Sequence, residues 1–193
     1  MVKTPSQSSS EKSLQQCVIP IHKPSRREYV FFFASGILVS IPFAAFFESF
    51  ATFSTILLIV FLAPFIEELA KIFPLFYRHG ETERSLVTLG LLLGLGFAVA
   101  EFVEYVVFSG VPFLARVPGL VFHASSATIT AYGVAKKNPI PYYLIAVMLH
   151  MGNNFFALTT DIFTVSATLM ILITVYWLAW RYYHKASKEK IVV

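Results

Sequence analysis

Six uncharged stretches make up most of this chain. Each has 16 to 22 residues without an Asp, Glu, Lys or Arg, and they cover residues 29–47, 50–66, 85–100, 117–135, 139–160 and 162–180. A helix needs about 20 apolar residues to cross the hydrocarbon core of a bilayer. Because 56% of the 193 residues are hydrophobic and only 13% are charged, one soluble core of this size has no room for them. The sequence predicts an all-α protein, a polytopic transmembrane helical bundle with six spans.

Basic residues predict the orientation of these spans. If six spans alternate, 13 of the 15 Lys and Arg residues lie on one side. They fall in the N-terminal tail, in the turns around residues 78–84 and 136–137, and after residue 180. Because Lys and Arg are retained in cytoplasmic loops, both termini are expected in the cytoplasm. The net charge of +4 then reflects topology and attraction to the lipid bilayer, and it gives no reason to expect a nucleic-acid partner.

Three segments follow from this pattern. Residues 1–28 are rich in Ser, Gln and Lys and are expected to form a flexible cytoplasmic N-terminal tail without a signal-peptide core. Residues 29–184 form one membrane domain, and residues 185–193 form a short basic C-terminal tail. The single cysteine, Cys17, excludes a disulfide framework.

Glu67 and Glu68 stand directly after the uncharged stretch 50–66 and before further apolar sequence. Burying one charge near the centre of a bilayer costs at least roughly 2.5 kcal/mol, so charges persist there where they have partners or a wet cavity. The adjacent carboxylates therefore indicate a functional site.

Other spans carry polar residues at a similar depth. At 1.5 Å per residue, Glu67, Glu101, His123 and His150 each lie roughly 14 to 18 Å from one face of a hydrocarbon core about 30 Å thick. Four helices thus offer a polar group near the midplane, as a single buried site requires.

Helical spacing suggests which side chains meet. Glu67 and Lys71 are four residues apart, which predicts an ion pair within one helix and leaves Glu68 to point elsewhere. Phe97 shares a face with Glu101, and His150 shares a face with Asn153 and Asn154.

Each residue also has a purely structural interpretation. A Glu–Lys pair can serve packing alone, and a single His or Asn in a span often bonds a neighbouring helix. Glu104 is expected to be interfacial, and Arg116 is expected to extend to the outer surface. The common depth of the polar groups is the reason to prefer one shared site, because independent structural uses need not align.

Four motifs occur in order along residues 50–160: Glu67-Glu68-Leu-Ala-Lys71, Phe97-Ala-Val-Ala-Glu101, His123, and His150-Met-Gly-Asn-Asn154. They resemble the EExxK, FxxxE and HxxxN/D pattern of PrsW-type intramembrane proteases, which are related to the CAAX-prenyl-protease and bacteriocin-processing (CPBP) group. The CAAX branch usually has His in place of Glu101 and the longer EExxxR spacing. Asn154 replaces the acid expected in some PrsW members, which changes the electrostatics of the last motif.

The resemblance implies a membrane-embedded endopeptidase of the metalloprotease type that cleaves a membrane-anchored protein or peptide substrate. Glu67 or Glu68 would be the base that activates water, and Asn154, with or without protonated His150, would donate to the oxyanion. Glu101, His123 and His150 would hold the water directly or bind a divalent metal, of which zinc suits His and carboxylate ligands best. Lys71, Phe97 and Glu104 would support these groups. The chain has no HExxH motif, so the expectation of a metal is weaker than the expectation of hydrolysis.

Two other functions fit the same residues. A small proton- or cation-coupled transporter also uses buried carboxylates and histidines as a relay, although the sequence shows no inverted repeat of the kind such proteins carry. A non-catalytic membrane scaffold with the same fold is the third alternative.

Overall fold

The computed structural model describes residues 21–50, 54–78 and 81–192. Most of the predicted N-terminal tail and residue 193 lie outside these ranges. The described residues form eight α-helices: α1 (Arg26–Ser35), α2 (Ile41–Glu48), α3 (Thr55–Leu57), α4 (Ala63–Ile72), α5 (Glu83–Val103), α6 (Phe113–Ala135), α7 (Pro139–Phe156) and α8 (Ile162–Lys185). With almost no sheet beside these helices, the predicted all-α fold is confirmed.

Wider helical turns extend several of these helices. π-helical turns at Gly36–Ser40 and Leu58–Leu62 join α1 to α2 and α3 to α4, and a third at Glu104–Phe108 extends α5. A 3₁₀ turn, Phe73–Tyr77, follows α4. π turns insert one residue into the α-helical register and are frequent at functional sites.

Side-chain caps fix where four helices begin. Ser25, Ser54, Thr82 and Asp161 accept backbone N–H groups at the starts of α1, α3, α5 and α8. Each cap satisfies a backbone donor that has no partner within its helix. Hydrogen bonds from Thr164 also hold the pKa of Asp161 below its usual range.

Three helical segments are long and apolar enough to cross a membrane: Arg26–Glu48, Glu83–Phe108 and Ile162–Lys185. α6 and α7, with 23 and 18 residues, are also long, but they are not among the three. Both carry polar side chains in their interiors, including His123, Ser126 and His150. The count of six spans therefore remains a prediction.

The outer surface of the bundle is apolar over much of its area. Large hydrophobic side chains such as Phe108, Leu114 and Ile162 are 80% exposed or more. Soluble monomers rarely expose contiguous apolar patches larger than a few hundred Å². The surface therefore fits a lipid environment.

The centre of the bundle is the pair α5 and α6, which approach closely along their length. A Cβ on Gly90 would lie 2.2 Å from that of Ala131, and a Cβ on Gly94 would lie 2.5 Å from that of Ala127. On its other side α5 crosses the α1 region, where a Cβ on Gly96 would lie 2.0 Å from the carbonyl oxygen of Phe33. Glycine at these crossings allows backbones to come near, as is common in membrane bundles.

A small two-stranded ladder that the sequence pattern does not predict lies at the start of α5. Strand β1 (Glu81–Thr82) pairs antiparallel with β2 (Ile191–Val192), within the segment predicted as a basic tail. Beside it the buried Glu83 carboxylate accepts hydrogen bonds from Lys136 Nζ at 2.7 Å and from the Ser187 backbone at 3.0 Å. The bond to Glu83 raises the pKa of Lys136.

Candidate functional site

A cavity of about 420 Å³ lies among α2, α4, α5, α6, α7 and α8, towards the end of the bundle where α6 and α8 begin. Its wall combines apolar side chains with a group of polar ones. The polar lining residues are Glu48, Glu67, Glu101, Tyr105, Arg116, His123, His150, Asn153, Asn154 and Thr168. Several sequence-predicted residues thus share one space.

Glu68 is fully buried, and one of its carboxylate oxygens accepts three hydrogen bonds. Its Oε1 accepts hydrogen bonds from Lys71 Nζ at 2.8 Å, His150 Nδ1 at 2.9 Å and Ser126 Oγ at 3.0 Å. The predicted ion pair of Lys71 with Glu67 is present at 3.7 Å, but the expectation that Glu68 points elsewhere is wrong, because Glu68 is the closer partner of the ammonium. Residues three and four apart are both neighbours on a helix, so spacing alone does not choose between them.

Glu67 differs from its neighbour because it faces the cavity. Its side chain is 14% exposed, and its Oε2 accepts no hydrogen bond from the residues the structure describes. That oxygen lies 3.8 Å from His150 Nε2. Of the two adjacent carboxylates, Glu67 is the one able to contact a molecule in the cavity.

The hydrogen-bond partners determine the tautomers of the two histidines. An ionised carboxylate only accepts, so His150 Nδ1 carries the proton that Glu68 receives, and Nε2 presents a lone pair to the cavity. An ammonium only donates, so His123 Nδ1 accepts from Lys71 at 2.7 Å. His123 Nε2 then donates to Glu101 Oε2 at 2.5 Å. The two neutral histidines thus carry their protons on different ring nitrogens.

Lys71 is the buried cation that joins these groups. Its side chain is fully buried, and its ammonium contacts Glu68, His123 and the face of Phe97, 4.5 Å from the ring centroid. Phe97 also packs against His123, with ring centroids 5.3 Å apart. Phe97 therefore supports both the cation and the imidazole.

Arg116 points inward, and the expectation that it extends to the outer surface is wrong. Its Nη2 lies 3.2 Å from Glu101 Oε1, and its guanidinium stacks on Tyr105 at 3.9 Å from the ring centroid. A paired position for Arg116 offsets the charge of Glu101. Glu101 consequently has one oxygen on Arg116 and the other on His123.

Asn154 is positioned by an irregularity in the neighbouring helix. Its Nδ2 donates to the carbonyl of Ile59 at 3.0 Å. In a regular α-helix that carbonyl would accept from Ala63, but in the π turn the Ala63 N–H bonds Leu58 instead. Pro64 supplies no N–H either, so the carbonyl remains for the asparagine. Asn153 Nδ2 lies 3.4 Å from Asn154 Oδ1.

Two glutamates outside the main cluster have different positions. Glu104 is exposed and forms no salt bridge with another described residue. Glu48, at the end of α2, lines the cavity, and its Oε1 is buried without a hydrogen-bond partner among the described residues. Sequence reasoning missed Glu48, although its isolation between two uncharged stretches was a usable signal.

The residues that come close enough for metal ligation are not the predicted set. Ligand atoms of Glu67, His123 and His150 all lie within 4.8 Å of one another. Glu67 stands here in place of the predicted ligand Glu101, which already contacts His123 and Arg116. The structure brings the other two members of the predicted set together.

The charges around the cavity do not balance among the described residues, and a divalent cation would balance them. Glu68 is offset by Lys71, and Glu101 is offset by Arg116. The carboxylates of Glu67 and Glu48 then remain, and each has a buried oxygen without a hydrogen-bond partner among the described residues. Buried charges require a counter-charge or neutralisation, so two protons or one divalent cation would balance them.

Comparisons with known proteins give no match: no family model, no curated protein and no solved structure matches this chain. The resemblance to PrsW-type proteases therefore rests on the short motifs described above.

Proposed function

We propose that this protein is a membrane-embedded endopeptidase that hydrolyses peptide bonds of membrane-anchored substrates, and that Glu67 is the carboxylate essential to hydrolysis. The observation that carries the proposal is the asymmetry of the two adjacent glutamates. Glu68 is buried away from the cavity and orients His150, whereas Glu67 lines the cavity and its Oε2 accepts no hydrogen bond from the described residues. Hydrolysis needs this division between a positioning group and a group that meets water.

The residues suggest a simple sequence of proton transfers. A water between Glu67 and His150 Nε2 loses a proton to Glu67 as its oxygen attacks the substrate carbonyl carbon. The carbonyl oxygen becomes negatively charged and accepts the amide hydrogen of Asn154 that does not bond Ile59. Glu67 then returns the proton to the leaving nitrogen as the C–N bond breaks. The products are a carboxyl group and an amine.

A divalent ion fits the same residues, with Glu67, His123 and His150 as its holders. A bound zinc ion supplies Lewis acidity and a water whose pKa approaches 7. Glu67 would then be a ligand, while Glu68 would keep its bond to His150 Nδ1 and so orient that ligand, as carboxylates commonly do at zinc sites. Glu67 is required in either form.

The direct test is cleavage of a library of single-span membrane peptides by the purified, detergent-solubilised protein. Cleavage within or next to the spans is the expected result, with the cut sites identified by mass spectrometry. A protein that retains its thermal unfolding transition but cuts no member of the library would favour the scaffold alternative.

Metal dependence has a specific expected signature in this site. His123 Nε2 carries the proton that faces Glu101, so that proton must leave Nε2 before this nitrogen can ligate zinc. Zinc would also replace any protons that neutralise Glu67 and Glu48, so its binding should release protons, measured by calorimetry in buffers of different ionisation enthalpy. Affinity should also fall at acidic pH, where protons compete with the metal for imidazole.

Activity gives the second readout for the metal. If zinc is used, a chelator should abolish cleavage, and added zinc should restore it. Full activity in preparations shown to be metal-free by elemental analysis would leave the peptidase proposal standing in its metal-free form and remove zinc.

The proposed topology is a six-span bundle with both termini in the cytoplasm. Cys17 is the only cysteine, so it reports the N-terminal side directly. We expect a membrane-impermeant maleimide applied to intact cells to spare Cys17 and to label a Thr160→Cys variant in a Cys17→Ser background. Labelling of Cys17 from outside, or of Thr160→Cys only after permeabilisation, would contradict the arrangement.

A proton-coupled transporter is the second candidate because the polar contacts form a continuous chain. It runs from Arg116 through Glu101, His123, Lys71 and Glu68 to Ser126. Beyond Ser126, towards the N-terminal end of α5, this series of polar contacts ends at fully buried apolar side chains, among them Leu86, Leu89 and Ile129. Because the polar series of described residues does not continue across the bundle, hydrolysis is favoured over transport. Proton flux into reconstituted vesicles that survives Glu67→Gln would favour transport.

A further inference from the structure

A second cavity, of about 340 Å³, lies between α5, α6 and α8 and is separate from the candidate active site. We call it the α8 groove. Leu91 and Leu95 of α5, Ala124 and Thr128 of α6, and Tyr176 and Trp180 of α8 line most of it. Trp180 is 62% exposed, so the groove reaches the outer surface of the bundle. Its wall is almost entirely apolar, as a site for a hydrocarbon chain requires.

One end of the α8 groove is basic. Arg84 lies on the same face of α5 as Leu91 and Leu95, seven and eleven residues before them. Its guanidinium stacks on Tyr183, another lining residue, at 4.4 Å from the ring centroid. Nε and Nη2 of Arg84 bond the carbonyls of His184 and Ala186, and Nη1 has no hydrogen-bond partner among the described residues. A donor thus remains for a ligand.

His184 adds a second donor at the same end. Its Nδ1 bonds the Trp180 carbonyl, which leaves Nε2 of this exposed side chain for another partner. Arg181 and Lys185 lie on the same turn of α8 and are exposed, but neither lines the groove. The nearby acid Glu83 is already engaged by Lys136 and Lys190. The groove therefore joins an apolar channel to a positively charged end.

We infer that the α8 groove binds one acyl chain of an anionic phospholipid, with the phosphate held by Arg84 and His184. The apolar wall matches the chain, and the basic end matches the charge of the phosphate. Trp and Tyr at such an end are typical of residues at the level of lipid headgroups. The inference is independent of peptide hydrolysis and depends only on the chain lying in a membrane.

The two tryptophans of the chain provide the measurement. Trp180 lines the groove, whereas Trp177 lies on α8 outside the lining and contacts Arg181. In a Trp177→Phe variant, Trp180 is the only tryptophan. The variant is placed in phosphatidylcholine vesicles that contain a small fraction of brominated lipid, which quenches tryptophan fluorescence. We expect brominated phosphatidylglycerol to quench Trp180 at about fivefold lower mole fraction than brominated phosphatidylcholine, because one basic contact to an anionic lipid gives a preference of about that size.

Three controls separate a site from general attraction to anionic lipid. Trp180→Phe leaves Trp177 as the reporter, which should show a much smaller headgroup preference. Adding Arg84→Gln to Trp177→Phe should remove the preference at Trp180, and Arg181→Gln, a matched basic residue outside the groove, should leave it. Ala124→Leu, which narrows the groove, should reduce quenching by both lipids.

Equal preference at the two tryptophans would overturn the inference and indicate lipid in the general annulus only. Persistence of the preference in the Arg84→Gln variant would overturn it as well. Absence of quenching of Trp180 by either lipid would mean that another protein surface, such as a second copy of the chain, covers the groove.

Discussion

Glu67→Gln should reduce peptide hydrolysis by about 10²- to 10⁴-fold, the usual contribution of a general base. The substitution keeps the size of the side chain but removes the charge and the basic oxygen that faces the cavity. Because Oε2 of Glu67 accepts no hydrogen bond from the described residues, the fold should be little affected. The rate constant for cleavage of a model peptide and the thermal unfolding midpoint in detergent measure the two effects separately.

Glu104→Gln is the matched control, because Glu104 is an exposed glutamate one turn beyond the site on the continuation of α5. It should cleave at the rate of the unsubstituted protein. An activity of Glu67→Gln within a factor of about 3, far smaller than loss of a general base would cause, would refute the essential role of Glu67 in both the metal-dependent and the metal-free form.

Lys71→Met should lower the free energy of unfolding by about 3 to 5 kcal/mol, the usual cost of leaving a buried charge without its partner. Methionine preserves much of the volume and the contact with Phe97 but removes the ammonium. The fully buried Glu68 carboxylate and the acceptor nitrogen of His123 both lose a donor. Denaturant or thermal unfolding in detergent measures the loss.

A double-mutant cycle shows whether the loss comes from the ion pair. Glu68→Gln keeps an oxygen that accepts from His150 and Ser126 but removes the charge. The Glu68→Gln, Lys71→Met double variant should therefore be more stable than Lys71→Met alone, because no unpaired charge remains. Additive losses from the two substitutions would mean that the charges do not interact as the structure indicates.

The sequence predicted which helices supply the site but not the pairing within it. Apolar stretches interrupted by Glu67, Glu101, His123 and His150 were enough to place a polar group on each of four helices. The choice of Glu68 over Glu67 as the closer partner of Lys71 depends on where His150 and Ser126 of other helices lie. Helical periodicity contains no such information.

Residues at the ends of apolar stretches were harder to interpret. Arg116 and Glu48 stand where interfacial residues are common, so an outward orientation was the natural expectation for the arginine. Both line the cavity because the site lies nearer one end of the bundle than its middle. The contact of Asn154 with Ile59 also depends on the π turn that precedes Pro64. In the sequence, only the proline indicates that the helix is irregular there.

Two further features, the short strands and the number of spans, could not be predicted from sequence patterns. Two-residue strands carry no detectable alternation, so the pairing of β1 with β2 was not predictable. α6 and α7 are long enough to cross a bilayer, but the polar residues that make the site also reduce the apolar character by which spans are recognised. The feature that identifies a functional membrane helix thus weakens its signature as a span.

The carboxylate of Glu83 has a consequence for the order in which the protein assembles during synthesis. It is buried at the start of α5, and its partners Lys136, Ser187 and Lys190 all follow it in the chain. Ser187 leaves the ribosome 104 residues after Glu83, which takes about 5 to 20 s at ordinary rates of translation. Until then the growing chain carries this acidic group without its full set of partners. The start of the helix that bears Phe97 and Glu101 is therefore completed only when the C-terminal segment has been made.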